Sequence, residues 1–122
     1  MARIFPICSS SSGNCTFIGT RGHGVLVDAG CSFRAMKSSL ELIETSMNQI
    51  EAIFITHEHI DHVKGLFQLT KHTKIPVFAS PGTIAQLRRN VHEVIPEEVR
   101  IYDVIHEPYQ SADFEVKAFH TP

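Results

Sequence analysis

Thr56-His57-Glu58-His59-Ile60-Asp61-His62 is where this sequence concentrates its chemistry: three of its eight histidines fall within six positions, with an aspartate among them. In an extended segment residues two apart point the same way, so His57 and His59 can grip one ion together. Asp61 and His62 follow where the chain is expected to turn into a helix. Neighbouring side chains diverge there, so this pair can face a second ion beside the first. Neutral imidazole and carboxylate are ligands of zinc, manganese and iron in hydrolases, and this donor set fits zinc and manganese alike. Two ions roughly 3.5–4 Å apart can bridge a hydroxide, orient a phosphoryl or acyl group, and stabilise both attacking and leaving oxygens. Glu58 and Ile60 alternate with these donors and should point away. The competing reading, an exposed polar turn that happens to be rich in histidine, does not account for so dense a pattern directly after an apolar strand.

The elements around the cluster must position it. Ile4 to Cys8 reads as a strand, Ser9-Ser10-Ser11-Ser12-Gly13-Asn14 as a loop, and Cys15 to Gly19 as a second strand. Arg21-Gly22-His23-Gly24 is a turn. Val25-Leu26-Val27 is a third strand ending in Asp28-Ala29-Gly30, where glycine suits a sharp exit. Ser32 is a plausible N-cap for a helix carrying Phe33, Met36, Leu40, Ile43 and Met47 on one apolar stripe. Ala52-Ile53-Phe54-Ile55 is a short buried strand leading straight into the histidine cluster. Val63, Leu66, Phe67 and Leu69 suggest a second helix, and Ile75 to Ala79 another strand. Ser80-Pro81-Gly82 reads as a cap and helix start, with Ile84, Leu87 and Val91 inward. Val99 to Ile105 and Phe114 to Phe119 alternate as strands do. Strands and helices in this alternation indicate α/β layers.

At 122 residues and 43% apolar, the chain can build one compact domain, taken here as residues 1–122. No apolar run approaches the roughly 20 residues of a membrane span, and the start lacks a signal peptide's apolar stretch, so a cytoplasmic protein without a membrane partner is expected. The formal net charge of -2 gives no electrostatic footprint for nucleic acid, although bound metals could supply positive charge. Cys8, Cys15 and Cys31 are odd in number and contain no Cys-x-x-Cys pair, so they read as reduced, partly buried thiols. His23, in a Gly-rich turn, is expected to be solvent-exposed. His72 at a helix end, with His92 and His106 in loop or strand-edge contexts, reads as structural. Arg88-Arg89 could touch phosphate but reads as a solvated helix end.

Thr56-His57-Glu58-His59-Ile60-Asp61-His62 resembles the signature of metallo-β-lactamase-fold hydrolases, and the run Thr56 to Gly65, followed by Leu66, is similar to their YycJ/WalJ-like branch. Val27-Asp28-Ala29-Gly30 is similar to a strand end of the same superfamily, whose Asp supports the metal-binding loop from behind. Ile7-Cys8-Ser9-Ser10-Ser11-Ser12-Gly13-Asn14-Cys15 resembles the Ser/Gly-rich loop of its YycJ/WalJ-like branch. The resemblance implies an αββα sandwich of two similar halves, of which this chain would supply about the first: a mixed sheet with flanking helices, incomplete at its C-terminus. It also implies two divalent metal ions, zinc or manganese. His57 and His59 would bind the first ion and Asp61 and His62 the second, with Asp61 and His62 also the catalytic candidates and Asp28 supporting them. Ser12, Gly13 and Asn14 would lie near the substrate mouth, where backbone N–H groups can approach a phosphate.

The activity implied is hydrolysis by a metal-bridged hydroxide, foremost of phosphodiesters in nucleic acid, as an exonuclease on DNA. Thioester or lactam hydrolysis is the alternative within the fold. Phe119-His120-Thr121-Pro122 leaves two registers open: His120 as a further ligand, or a ligand just beyond Pro122. A half-sandwich would expose an apolar face, so homodimerisation, completion by a missing C-terminal half, or an inactive fragment is the third reading.

Overall fold

The structure, a computed structural model, describes residues 3–10, 13–20, 22–56, 65–89, 96, 99–103, 109–110 and 115–116. Six strands form one sheet in the order of the chain: β1 (Arg3–Ser10), β2 (Gly13–Gly19), β3 (Gly24–Val27), β4 (Ile50–Ile55), β5 (Val77–Ala79) and β6 (Ile101–Asp103). β1, β2 and β3 meander antiparallel. β3, β4, β5 and β6 run parallel, and β4, β5 and β6 are each reached through a helical crossover: α1 (Phe33–Leu42), α2 (Leu66–His72) and α3 (Pro81–Arg88). β7 (Tyr109–Gln110) and β8 (Glu115–Val116) form a separate antiparallel pair.

Strand alternation assigns the two faces. Phe17, Leu26, Ile53, Ile55, Val77 and Ala79 point to one side, where Met36 and Leu40 of α1, Leu66, Phe67 and Leu69 of α2 and Leu87 of α3 close the main core. Val25, Ala52, Phe54 and Phe78 point to the other. There Phe54, Phe78 and Tyr102 occupy matched register positions on β4, β5 and β6, their rings stacked at 5.1 and 4.9 Å. Tyr109 of β7 meets Phe54 and Phe78 edge-on at 5.5 and 5.2 Å, and its hydroxyl donates to the Glu51 carboxylate. Parallel strands must be covered on both faces, which is why β4 and β5 read as continuous apolar runs.

Several expected boundaries move. Ser9 and Ser10 belong to β1, and Gly13 and Asn14 to β2, paired Ser10↔Gly13 and Ser9↔Asn14. Serine meets no barrier to extended backbone, and the ladder supplies partners for its N–H and C=O groups. The first helix does not reach Met47. It ends in a Schellman motif: Glu44 N–H donates to Glu41 C=O, Thr45 N–H to Leu40 C=O, and Glu44 sits at φ 57°. Met47 begins a separate 3-10 turn, Met47–Gln49. β5 starts at Val77 rather than Ile75, because Pro76 has no N–H to give the ladder. Ser32 and Ser80 do cap α1 and α3, accepting from Ala35 and Thr83 N–H, with Pro81 in the first helical turn. β7 was not anticipated; two residues beside Pro108 carry no alternation to read. Val63, Val91, Val104, Ile105, Phe114 and Phe119 lie outside the described residues.

Candidate functional site

β3 ends at Val27, and the chain must turn at once to reach α1. Asp28 makes the turn in the left-handed region, at φ 65°, which aspartate tolerates better than most residues. Its N–H donates to Phe54 C=O at 2.6 Å, tying the turn to β4. Its buried carboxylate then accepts from Thr56, the residue after β4: from the main-chain N–H at 2.8 Å, and from the hydroxyl, whose oxygen lies 2.9 and 2.8 Å from the two carboxylate oxygens. Thr56 is the last described residue before His57.

The far end of the same segment returns to the same place. Gly65 N–H donates to Ala29 C=O at 2.7 Å. A Cβ at Gly65 would stand 1.9 Å from the Cys31 carbonyl oxygen, so only glycine permits this approach. Thr56 and Gly65, the described residues on either side of positions 57–64, are therefore both bonded to the turn 28–31. Gly30 N–H donates to Asn14 C=O at 2.7 Å, which brings the start of β2 against that turn as well. Three segments thus converge at the carboxyl ends of β3 and β4, the edge at which open α/β sheets bind their ligands. A shallow cavity of about 360 Å³, lined among others by Met47, Ile50, His72, Lys74 and Pro76, opens at the opposite ends of β4 and β5.

Of the candidate residues, Asp28, Asn14 and the backbone of Gly13 are placed at this edge. Ser12, His57, His59, Asp61, His62 and His120 lie outside the described residues, as do Glu58, Ile60, His92 and His106. Among the described residues no group of three His, Cys, Asp or Glu side chains could hold a metal ion. His23 is half-buried rather than exposed; its carbonyl accepts from Thr20 N–H and draws the turn inward. His72 is exposed at the end of α2 with its ring 5.1 Å from Phe33, and Arg88 and Arg89 are exposed. The sequence reading missed the parts played by Thr56 and Gly65. A hydroxyl just ahead of the first histidine and a glycine just ahead of α2 were the available signals.

Among the described residues no helix is long and apolar enough to cross a membrane. Comparison with known proteins matches residues 10–121 to the metallo-beta-lactamase superfamily. The chain is 32% identical to the exodeoxyribonuclease YycJ of Bacillus anthracis over 113 residues, 93% of this chain and 42% of that protein. It is 36% identical to the exodeoxyribonuclease WalJ of Streptococcus pneumoniae over 77 residues, 63% of this chain and 29% of that one. The chain thus spans less than half the length of these relatives. Among solved structures, MEM-A1, a subclass B3 metallo-beta-lactamase isolated from a soil metagenome library, superposes with a TM-score of 0.76 at 18% identity, over 99% of this chain and 50% of that one. With the mixed sheet, its flanking helices and the anchored turn already in place, the chain belongs to the metallo-beta-lactamase superfamily.

Proposed function

We propose that this chain supplies the N-terminal part of a metal-dependent phosphodiesterase, an exonuclease acting on DNA. The observation that carries the reading is the double anchoring of residues 57–64 by the turn 28–31. Thr56 and Gly65, which bracket the segment with three histidines and an aspartate in the sequence, are both bonded to one turn at the carboxyl edge of the sheet. The family's divalent metal ions suit these donors by type. His57 and His59 would hold one, Asp61 and His62 the other, with His120 a candidate for a further position. When bound, two such ions supply an activated water and stabilise charge on the phosphoryl oxygens.

The chain's own residues do the positioning. Asp28 holds Thr56, the residue next to His57 in the sequence, by its main-chain N–H and its hydroxyl. Gly65 fixes where the segment rejoins the helix. Asn14 and Gly13, at the start of β2, would border the substrate beside Ser12. The names of the two curated relatives favour DNA over the thioesters and lactams hydrolysed elsewhere on this fold.

The test is metal content per purified chain with and without Asp61→Ala, together with hydrolysis of a generic phosphodiester and a thioester. Two ions per chain that fall in the variant, with phosphodiester turnover, support the proposal. Turnover of the thioester alone, or metal content indifferent to Asp61, overturns it.

A further inference from the structure

Cys8, Cys15 and Cys31 are far apart in the sequence, but the fold brings them together. Cys8 and Cys15 are cross-strand partners in the β1–β2 ladder, and both pack on the helical side of the sheet. Side chains opposite one another in an antiparallel pair share a face, with Cβ atoms roughly 5 Å apart. Cys31 comes over the same face from the turn after β3, held there by the Gly30–Asn14 hydrogen bond one residue away from Cys15. Its side chain hydrogen-bonds the thiols of both Cys8 and Cys15, and its backbone N–H donates to Cys8. Cys8 and Cys31 are half-exposed, whereas Cys15 is buried.

We propose that Cys8 and Cys31 form a thiol-modification site, which hydroperoxides convert to a reversible intramolecular disulfide with Cys15 left reduced beneath it. The Cys31 sulfur attacks the peroxide, the O–O bond breaks, and the leaving oxygen takes the thiol proton and departs as water or alcohol. Cys31 is left as a sulfenic acid. The Cys8 sulfur attacks that sulfur, the S–S bond forms, the S–O bond breaks, and a second water leaves with the Cys8 proton. Two thiols are oxidised and one hydroperoxide is reduced.

The order follows from the surroundings. Burial, then the Cys31 side chain and its charge, push the Cys8 thiol up to about 12, which holds the Cys8 proton and suits Cys8 to the second, resolving step. Once Cys31 is a neutral sulfenic acid, two of the causes that hold the Cys8 proton disappear. Cys15 is raised by the Cys31 hydrogen bond, by burial and by the charges of its neighbours, Asp28 included, and with its burial this keeps it out of reach of solvent oxidants.

The experiment treats the purified 122-residue chain with a small excess of hydrogen peroxide, quenches with an alkylating agent under denaturing conditions, and maps the peptides without reduction. The expected result is a fall from three alkylatable thiols to one, a Cys8–Cys31 linked peptide, and full recovery with dithiothreitol. Cys8→Ser and Cys31→Ser should each abolish the linked peptide, and Cys15→Ala should keep it. Circular dichroism shows which variants fold, and the wild-type map decides the matter alone if Cys15→Ala does not. A bond to Cys15, links between chains, or three thiols surviving peroxide would overturn the proposal.

Discussion

Thr56 directs both its main-chain N–H and its hydroxyl onto the carboxylate of Asp28, at 2.8 Å for the N–H and 2.8–2.9 Å for the hydroxyl oxygen. Hydrogen bonds to a buried charged group contribute more than neutral ones, and their loss strands the remaining partner. Asp28→Ala is expected to lower the unfolding free energy by about 2–3 kcal/mol. It should also weaken divalent-metal binding roughly 10–100-fold, because the start of the 57–64 segment loses its guide. Urea denaturation and zinc titration measure the two effects. Thr56→Val, which keeps the N–H donor, should show a smaller loss in both. An Asp28→Ala protein with unchanged zinc affinity would remove the positioning role.

Gly65→Ala should be the most damaging single-methyl addition near the site. The added carbon would meet the Cys31 carbonyl oxygen at 1.9 Å, and backbone on both sides resists movement. Overpacking of this kind costs about 1–3 kcal/mol. The expected result is a lower denaturation midpoint with an unchanged slope, and weaker metal binding. Gly82→Ala, whose added carbon meets nothing within 4 Å, is the matched control.

Glu44→Gly is expected to stabilise the protein. Glu44 ends α1 in the left-handed region at φ 57°, and that conformation costs a non-glycine residue about 1–2 kcal/mol. Some of this gain is offset by glycine's freedom in the unfolded chain, leaving about 1 kcal/mol. A differential scan of the two proteins should show a higher Tm for the variant.

Alkaline titration should destabilise the fold through its thiols. Burial first, and Cys31 second, raise Cys8 from an ordinary 9.0 to about 12. A raised folded-state value means that the unfolded chain releases the proton first. The stability is therefore complete below about pH 9 and is lost progressively as pH climbs toward 12. Cys15 shifts in the same direction. Cys8→Ala should flatten that decline in a set of urea unfolding curves taken from pH 8 to 11, and an equal slope in both proteins would contradict the assignment.

The layered α/β architecture was legible because its signals are periodic. The short apolar run Ala52 to Ile55 marked β4 as a buried strand, and the stripe Phe33, Met36 and Leu40 named the face of α1. The caps Ser32 and Ser80 were legible for the same reason: their chemistry is local. The end of α1 was not, since Ile43 and Met47 continue the stripe while Glu44, a good helix former, adopts a conformation that the sequence does not advertise. Neither was the pairing that extends β1 and β2 into the serine run, because cross-strand hydrogen bonds leave no trace in residue type. At the site, Asp28 was found through its neighbours in sequence. Thr56 and Gly65 matter through partners 28 and 36 positions away, and the meeting of three cysteines depends on a strand register that spacing alone does not give.

Because Thr56 and Gly65 are both bonded to the turn 28–31, the entropy of bringing those two positions together is spent when the sheet folds, before any ligand arrives. The donors proposed for positions 57–64 would then gain in effective concentration relative to one another. Affinity for the proposed ions would become a readout of the sheet beneath. A substitution that frays the β3–β4 ladder, such as one that shrinks Ile53 or Leu26, should loosen bound ions without touching a single donor, and added ions should in turn raise the energy needed to pull those strands apart.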